Sequence, residues 1–178
     1  HVGFAVEGHP SVIPTIHARI DDQLYLHGAA ANHMLRSLAG GVEACVTGTI
    51  VDGLVLARSA FHHSMDYRSV MVFGCASRVD DPDEKQRALH ALVDHVVPGR
   101  NADARPPSDA ELRKTLVLRL PIAEASAKVR TGGPVDDDAD MTLGVWAGVL
   151  PCALTFGAAI AAPGVTAATP EYVRTYSR

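Results

Sequence analysis

The chain has 178 residues, 47% of them hydrophobic and 20% charged, and carries a net charge of −4. That length suits one domain with a core of its own and no need of disulfides or metal, and the composition excludes wholesale disorder. No basic tract marks a nucleic-acid partner, and the widely spaced Cys45, Cys75 and Cys152 lack a C-x-x-C pair, which fits free thiols in a reducing compartment such as the cytoplasm.

In chain order the first half reads as strands. Val2 to Val6 is followed by the turn cluster Glu7-Gly8-His9-Pro10, then Ser11 to Ile20, a turn at Asp21-Asp22, and Gln23 to His27. Asn32 opens a short helix with Leu35 and Leu38 on one face, ended by Gly40-Gly41. Val42 to Ile50 and Leu54 to Phe61 flank Val51-Asp52-Gly53, whose Asp-Gly pair predicts a tight hairpin. Tyr67 to Val79 is one more strand. A helix then starts at Asp81-Pro82, with Glu84 placed for a capping box and an apolar stripe through Leu89, Leu92, Val93, Val96 and Val97, and stops at Pro98-Gly99. Ser108-x-x-Glu111 opens a third helix, Thr115 to Ile122 returns to strand, and Leu143 to Leu150 is the last strand.

Antiparallel hairpins with helices packed outside predict a mainly β chain closed as a barrel, because closure removes exposed edges. Thr142 to Pro170 carries no charged residue, but its prolines, glycines and small residues predict a strand and an Ala-rich tail, not a membrane span. The run Asp136-Asp137-Asp138 with Asp140 reads as a solvated loop.

The sequence lacks the nucleophile-elbow, P-loop, dinucleotide-fold and zincin motifs. His62 and His63 are adjacent, so on a strand they face opposite ways and do not share a metal; no metal site is expected. Arg68 shares a strand face with Asp66. An arginine there pairs with a carboxylate, Asp66 or Glu43, or meets a phosphate or a cofactor carbonyl. The helix start at Asn32-His33 is either an anion site or simple capping by Asn32.

Several ordered segments carry a resemblance. They are Gly-His-Pro-Ser-Val-Ile-Pro-Thr (8–15), Leu-Tyr-Leu-His-Gly (24–28), Met-Leu-Arg-Ser-Leu (34–38), His-Ser-Met-Asp-Tyr-Arg-Ser-Val (63–70), Val-Phe-Gly (72–74), Ser-Ala-Lys-Val-Arg-Thr-Gly (126–132) and Val-Trp-Ala-Gly-Val-Leu-Pro (145–151). Together they resemble the flavin-binding split-barrel proteins, the pyridoxamine 5′-phosphate oxidase-like superfamily, and among these the small flavin-nucleotide-binding and nitroimidazole-resistance members. The resemblance implies a six-stranded antiparallel split barrel of Greek-key type, a single domain over 1–178 with core 2–151 and an Ala/Gly/Pro-rich tail 152–178. It implies a homodimer with FMN in clefts between subunits, acting on a small-molecule substrate without nucleic acid or membrane.

Residue by residue, the resemblance places Ile13, Pro14 and Thr15 against the flavin ring and Asn32, His33 and Met34 at its phosphate. Arg68 and Ser69 fall at the ribityl phosphate or ring edge, and Lys128, Arg130 and Trp146 near the cofactor across the dimer. His62 or His63 lies beside flavin and substrate, and His62, His63 and Tyr67 are the candidate proton donors. One departure stands out: Asn32-His33 occupy the place where the family carries Ser-Arg, removing a permanent charge from the phosphate site. The leading expectation is an FMN-dependent oxidoreductase. The alternative is a divergent member with weakened or lost FMN binding, its cleft used for haem, a metabolite or non-redox chemistry.

Overall fold

A computed structural model describes residues 1–177 and divides the chain into two compact units. The first unit is His1–Val46, Val72–Glu124 and the chain from Thr155 onward; the second is Thr47–Met71 and Ala125–Leu154. The fold is mainly β, as expected. Six strands, β1, β2, β5, β6, β9 and β10, belong to one sheet and four, β3, β4, β7 and β8, to another.

In the first unit, β1 (Val2–Val6) and β2 (His9–Ile13) form a hairpin closed by Glu7 and Gly8. Their φ values of 51° and 80° are both left-handed, which a turn matching the strand twist requires and glycine adopts freely. β3 (His17–Ile20) and β4 (Gln23–Ala29) form a second hairpin, and β4 lies against β8 (Thr115–Pro121), which also pairs with β7 (Ser77–Arg78). Alternation along β4 and β8 sends Leu24, Leu26, Leu116, Leu118 and Leu120 to one face. There they meet Val2 and Phe4 of β1 and Met34, Leu35 and Leu38 of α1 (His33–Ala39). Leu26, Leu118 and Leu120 are completely buried, each contributing ~1.5–3 kcal/mol relative to exposure.

The opposite face of the same sheet carries Tyr25 and Val117, packed with Val79 and with Ala88 of α2 (Pro82–Val96). Asp81 caps α2 by accepting from the Glu84 N–H. The expected reciprocal half of that box is absent. The Glu84 carboxylate instead accepts from Tyr25 Oη at 2.9 Å and from Arg119 at 3.1 Å. Burial, then the carboxylate beside it, raises the Tyr25 pKa above its ordinary value. α3 (Arg100–Asp103), α4 (Asp109–Lys114) and α5 (Glu171–Arg174) complete this unit. α4 opens with a full capping box between Ser108 and Glu111, as its sequence predicts. In the tail, the Tyr172 hydroxyl donates to Asp103 and accepts from Arg100.

Two long strands run from one unit's residues into the other's: β5 (Glu43–Leu56) and β6 (Ser64–Cys75). The second unit orders as β10-β5-β6-β9, with β9 at Glu124–Arg130 and β10 at Gly148–Pro151. Its fully or nearly buried residues are few: Gly53, Val55, Ala57 and Asp66.

Several expectations give way here. The Ser11–Ile20 strand is cut into β2 and β3 because Pro14 has no N–H to donate to a ladder. No hairpin forms at Val51-Asp52-Gly53. β5 runs straight through, because β10 pairs with it, Gly53 facing Pro151 and Leu54 facing Leu150, and these ladder bonds override the local turn signal. β5 stops at Leu56, and Ala60–His62 is a 3₁₀ turn capped by Ser59, so His62 and His63 are not strand neighbours. The Tyr67–Val79 strand breaks after Cys75, next to Gly74 at φ 145°. The last strand shrinks to Gly148–Pro151, and β9 was not assigned as a strand from its pattern. The acidic run is not all solvated: the Asp136 side chain is only 1% exposed.

Candidate functional site

In the second unit, β6 presents Asp66, Tyr67, Arg68 and Ser69, and β9 brings up Lys128 and Arg130. Arg68 makes a bidentate pair with Asp52 of β5, both bonds 2.9 Å. Neither Asp66 nor Glu43 is its partner, which corrects the sequence expectation. Their mutual hydrogen bonds, and then their charges, hold the Asp52 carboxyl below its ordinary pKa and the Arg68 guanidinium above. Asp66 is buried and accepts from Arg130 at 2.7 Å. The ammonium of Lys128 lies 5.8 Å from the Tyr67 ring centre, a cation–π contact. Trp146 is 67% exposed, and its ring packs on Gly148, where a Cβ would come within 2.9 Å of it.

The turn between β5 and β6 is fastened from the acidic loop. Asp136 accepts from the Arg58 guanidinium at 2.9 Å and from the Arg58 N–H at 2.8 Å. Burial acts to raise the Asp136 pKa, but these bonds and one from the Ser59 N–H hold it below its ordinary value. Among the described residues, Arg58 Nε is a buried donor with no partner. His63 Nδ1 lies 3.0 Å from the Ser59 carbonyl oxygen. A carbonyl only accepts, so in neutral His63 the proton sits on Nδ1 and Nε2 keeps its lone pair. That is how proteins fix a metal-ligating imidazole. His62 Nε2 lies 3.4 Å from the exposed Asp137.

In the first unit, Ile13 ends β2 and is 37% exposed, with Pro14 and Thr15 in the link to β3. Asn32 is the cap of α1: its Oδ1 accepts from the Leu35 N–H at 3.0 Å, which is simple capping. His33 is exposed. Met34 is 3% exposed, and its side chain packs in the core. A cleft of about 540 Å³ is lined by His27 together with Leu89, Leu92, Val93 and Val96 of α2. Among the described residues His27 Nδ1 is buried without a partner, and burial lowers the pKa of the ring. Sequence reasoning missed Asp52, Asp136 and the Ser59 carbonyl. All three act at long range or through backbone, and no spacing rule exposes them. Among the described residues no group of three or more His, Cys, Asp or Glu is placed to hold a bare metal ion, and no helix is long and apolar enough to cross a membrane.

A split barrel carrying this strand order and these segments defines a flavin-binding class. The family model described as pyridoxamine 5′-phosphate oxidase matches residues 1–129, and the chain belongs to that family. A FAD- and haem-binding protein from Mycobacterium smegmatis superimposes with a TM-score of 0.93 at 39% identity, covering 99% of this chain and 87% of that one. The flavocytochrome Anf3 from Azotobacter vinelandii gives 0.89 at 38% identity, covering 97% and 81%. A protein described as a candidate 5-nitroimidazole resistance protein from Bacteroides thetaiotaomicron gives 0.57 at 27%, covering 71% and 73%. No curated protein sequence matches.

Proposed function

We propose that the chain is a flavin- and haem-binding oxidoreductase acting on a small molecule, with FAD in place of the FMN that the sequence suggests. The carrying observation is similarity over nearly the whole chain, at 39% identity, to a FAD- and haem-binding protein, with a flavocytochrome close behind. When bound, the flavin supplies electron transfer and the haem iron a one-electron centre.

The chain's residues fit both groups. His63 would hold the haem iron: its Nδ1 is tied to the Ser59 carbonyl, which would leave Nε2 to coordinate. Exposed apolar side chains of the same unit, Phe61 at 88% and Met65 at 47%, provide surface for a porphyrin to cover. Ser69 and Lys128 offer donors to the flavin ring or ribityl chain. Arg68 and Arg130 are already committed to carboxylates, so they position strands β6 and β9 and do not hold phosphate. Tyr67, under the Lys128 ammonium, is the proton donor to substrate.

The second reading puts the haem on His27 in the apolar cleft of the first unit, favoured by an imidazole whose Nδ1 is buried without a partner among the described residues and whose pKa burial lowers. His63→Ala and His27→Ala decide between them. The expected result is loss of the Soret band in the first with flavin absorption retained, and no change in the second. The assembly is proposed to be a homodimer in the cytoplasm. Its support is the exposed Ile50, Val70 and Val129 on the second unit's sheet, at 54%, 42% and 64%, an apolar surface that a monomer seldom leaves open.

A further inference from the structure

The apolar stripe of α2 is wider than the sheet beneath it covers. Ala88 and Leu92 are buried, but Val93 and Val96 stay exposed, and with Leu89 they line the cleft of about 540 Å³. Ile16, just before β3, adds another exposed apolar side chain, and every lining residue belongs to the first unit. Such a volume, mostly apolar with a few polar groups to fix orientation, is that of a small-molecule pocket. The polar groups are unequal. Arg105 and Glu111 hold each other through bonds of 2.8 and 3.0 Å, so neither charge is spare for an ionic ligand. The Asn101 N–H donates to Asp94. His27 differs. Alternation along β4 puts it on the face of Tyr25, turned to α2, and among the described residues its buried Nδ1 bonds to nothing. A ring nitrogen in that state costs stability unless something in the cleft bonds it. Burial lowers the pKa of the ring, which favours its uncharged form. In that form Nδ1 either accepts or donates, according to the tautomer. A hydroxyl does both and satisfies either one, whereas a carbonyl or an ether only accepts.

We propose that this cleft binds a small, uncharged, apolar molecule bearing a hydroxyl, an alcohol or phenol, whose hydroxyl bonds His27 Nδ1 while its hydrocarbon part lies against Leu89, Val93 and Val96. The hydrocarbon supplies most of the affinity, through surface removed from water. The hydroxyl supplies the selection, because a buried nitrogen left unbonded penalises any molecule that lacks one. An acid is disfavoured twice: the one guanidinium in the lining is already paired, and a carboxylate loses its water in an apolar cleft. The inference goes with the placement of haem on His63, since a haem on His27 would fill the same cleft.

The test is calorimetric titration of the purified protein with 2-naphthol, naphthalene and 2-naphthoate, for wild type, His27→Ala and Val93→Trp, with the Soret band of each recorded first. Circular dichroism confirms folding, and Val93 is exposed, so a tryptophan there fills the cleft without entering the core. The wild type is expected to bind 2-naphthol about tenfold more tightly than naphthalene, and 2-naphthoate most weakly. His27→Ala should erase the preference, weakening 2-naphthol about tenfold and leaving naphthalene unchanged, while Val93→Trp weakens both. No binding of 2-naphthol, equal binding of 2-naphthol and naphthalene by the wild type, or an unchanged preference in His27→Ala would overturn the proposal. A Soret band lost in His27→Ala would overturn it too, by putting the haem in the cleft. If the wild type shows no Soret band, yet His27→Ala erases the preference for 2-naphthol, the hydroxyl site stands and the haem reading fails.

Discussion

Asp52 and Asp66 show how a single carboxylate decides what an arginine is for. Alternation on β6 puts Asp66 and Arg68 on one face, yet Arg130 takes Asp66 and Asp52 takes Arg68. Both pairings join residues far apart in sequence, so they are not legible from spacing. The Asn32 cap and the Ser108–Glu111 box, being local, are legible. Local carboxylates also set the acid response. Glu111, held by Arg105 and then by Ser108, titrates at about 2 in place of 4.5. A depressed folded-state pKa adds stability above the unfolded value and loses it as pH falls, here between 4.5 and about 2. Asp136 acts in the same direction. Urea melts at stepped pH should therefore show the wild type weakening on acidification, with a shallower slope in Glu111→Gln and Asp136→Asn. Asp136→Asn should also be less stable at neutral pH, since it leaves the Arg58 guanidinium without its anion. At His33, arginine restores the family's charge, and equilibrium titration should show FMN bound about ten- to a hundredfold more tightly in His33→Arg.

Elements were legible where their signal was local and repeated. The stripe and cap of α2, the Glu7-Gly8 turn and the alternation of β4 and β8 all stand where the sequence puts them. Failures came where a partner strand or the lack of one decided the outcome. The Asp-Gly pair lost to ladder bonds from β10, and β9, almost wholly exposed, alternates only the small Ala125 and Ala127 and Val129 with polar residues, a weak apolar signal. β8 is the spine of the first unit's core, so Leu118→Ala should cost ~2–5 kcal/mol in chemical denaturation. Gly148→Ala tests a smaller joint. Its Cβ has no room against the Trp146 ring, so the ring must move, and a shift in Trp146 fluorescence should report it. Trp146 is the chain's one tryptophan, so the signal has a single source.

At the scale of the whole molecule, the sequence identified the family and a mainly β fold, though the structure has ten strands in two sheets where six were expected, and it pointed to FMN with haem as the remote option. The proposal of FAD and haem rests on similarity to proteins described as binding those groups. The reason lies in what motifs record. They preserve strands and turns common to the flavin proteins, whereas the proposed haem ligand is one imidazole held by one backbone carbonyl, which leaves no motif. The proposed dimer is tested by light scattering with Val129→Lys, a charge placed on the open face, which should shift a dimer of 18.8 kDa chains toward monomer.

The most direct measurement is the visible spectrum and extracted cofactor of the purified protein supplied with FAD, FMN and haem. A flavin band and a Soret band in the same protein, with FAD recovered on denaturation and the Soret band absent from His63→Ala, is the predicted result. A protein that takes up neither group, or that retains FMN alone with no haem signal, would contradict it.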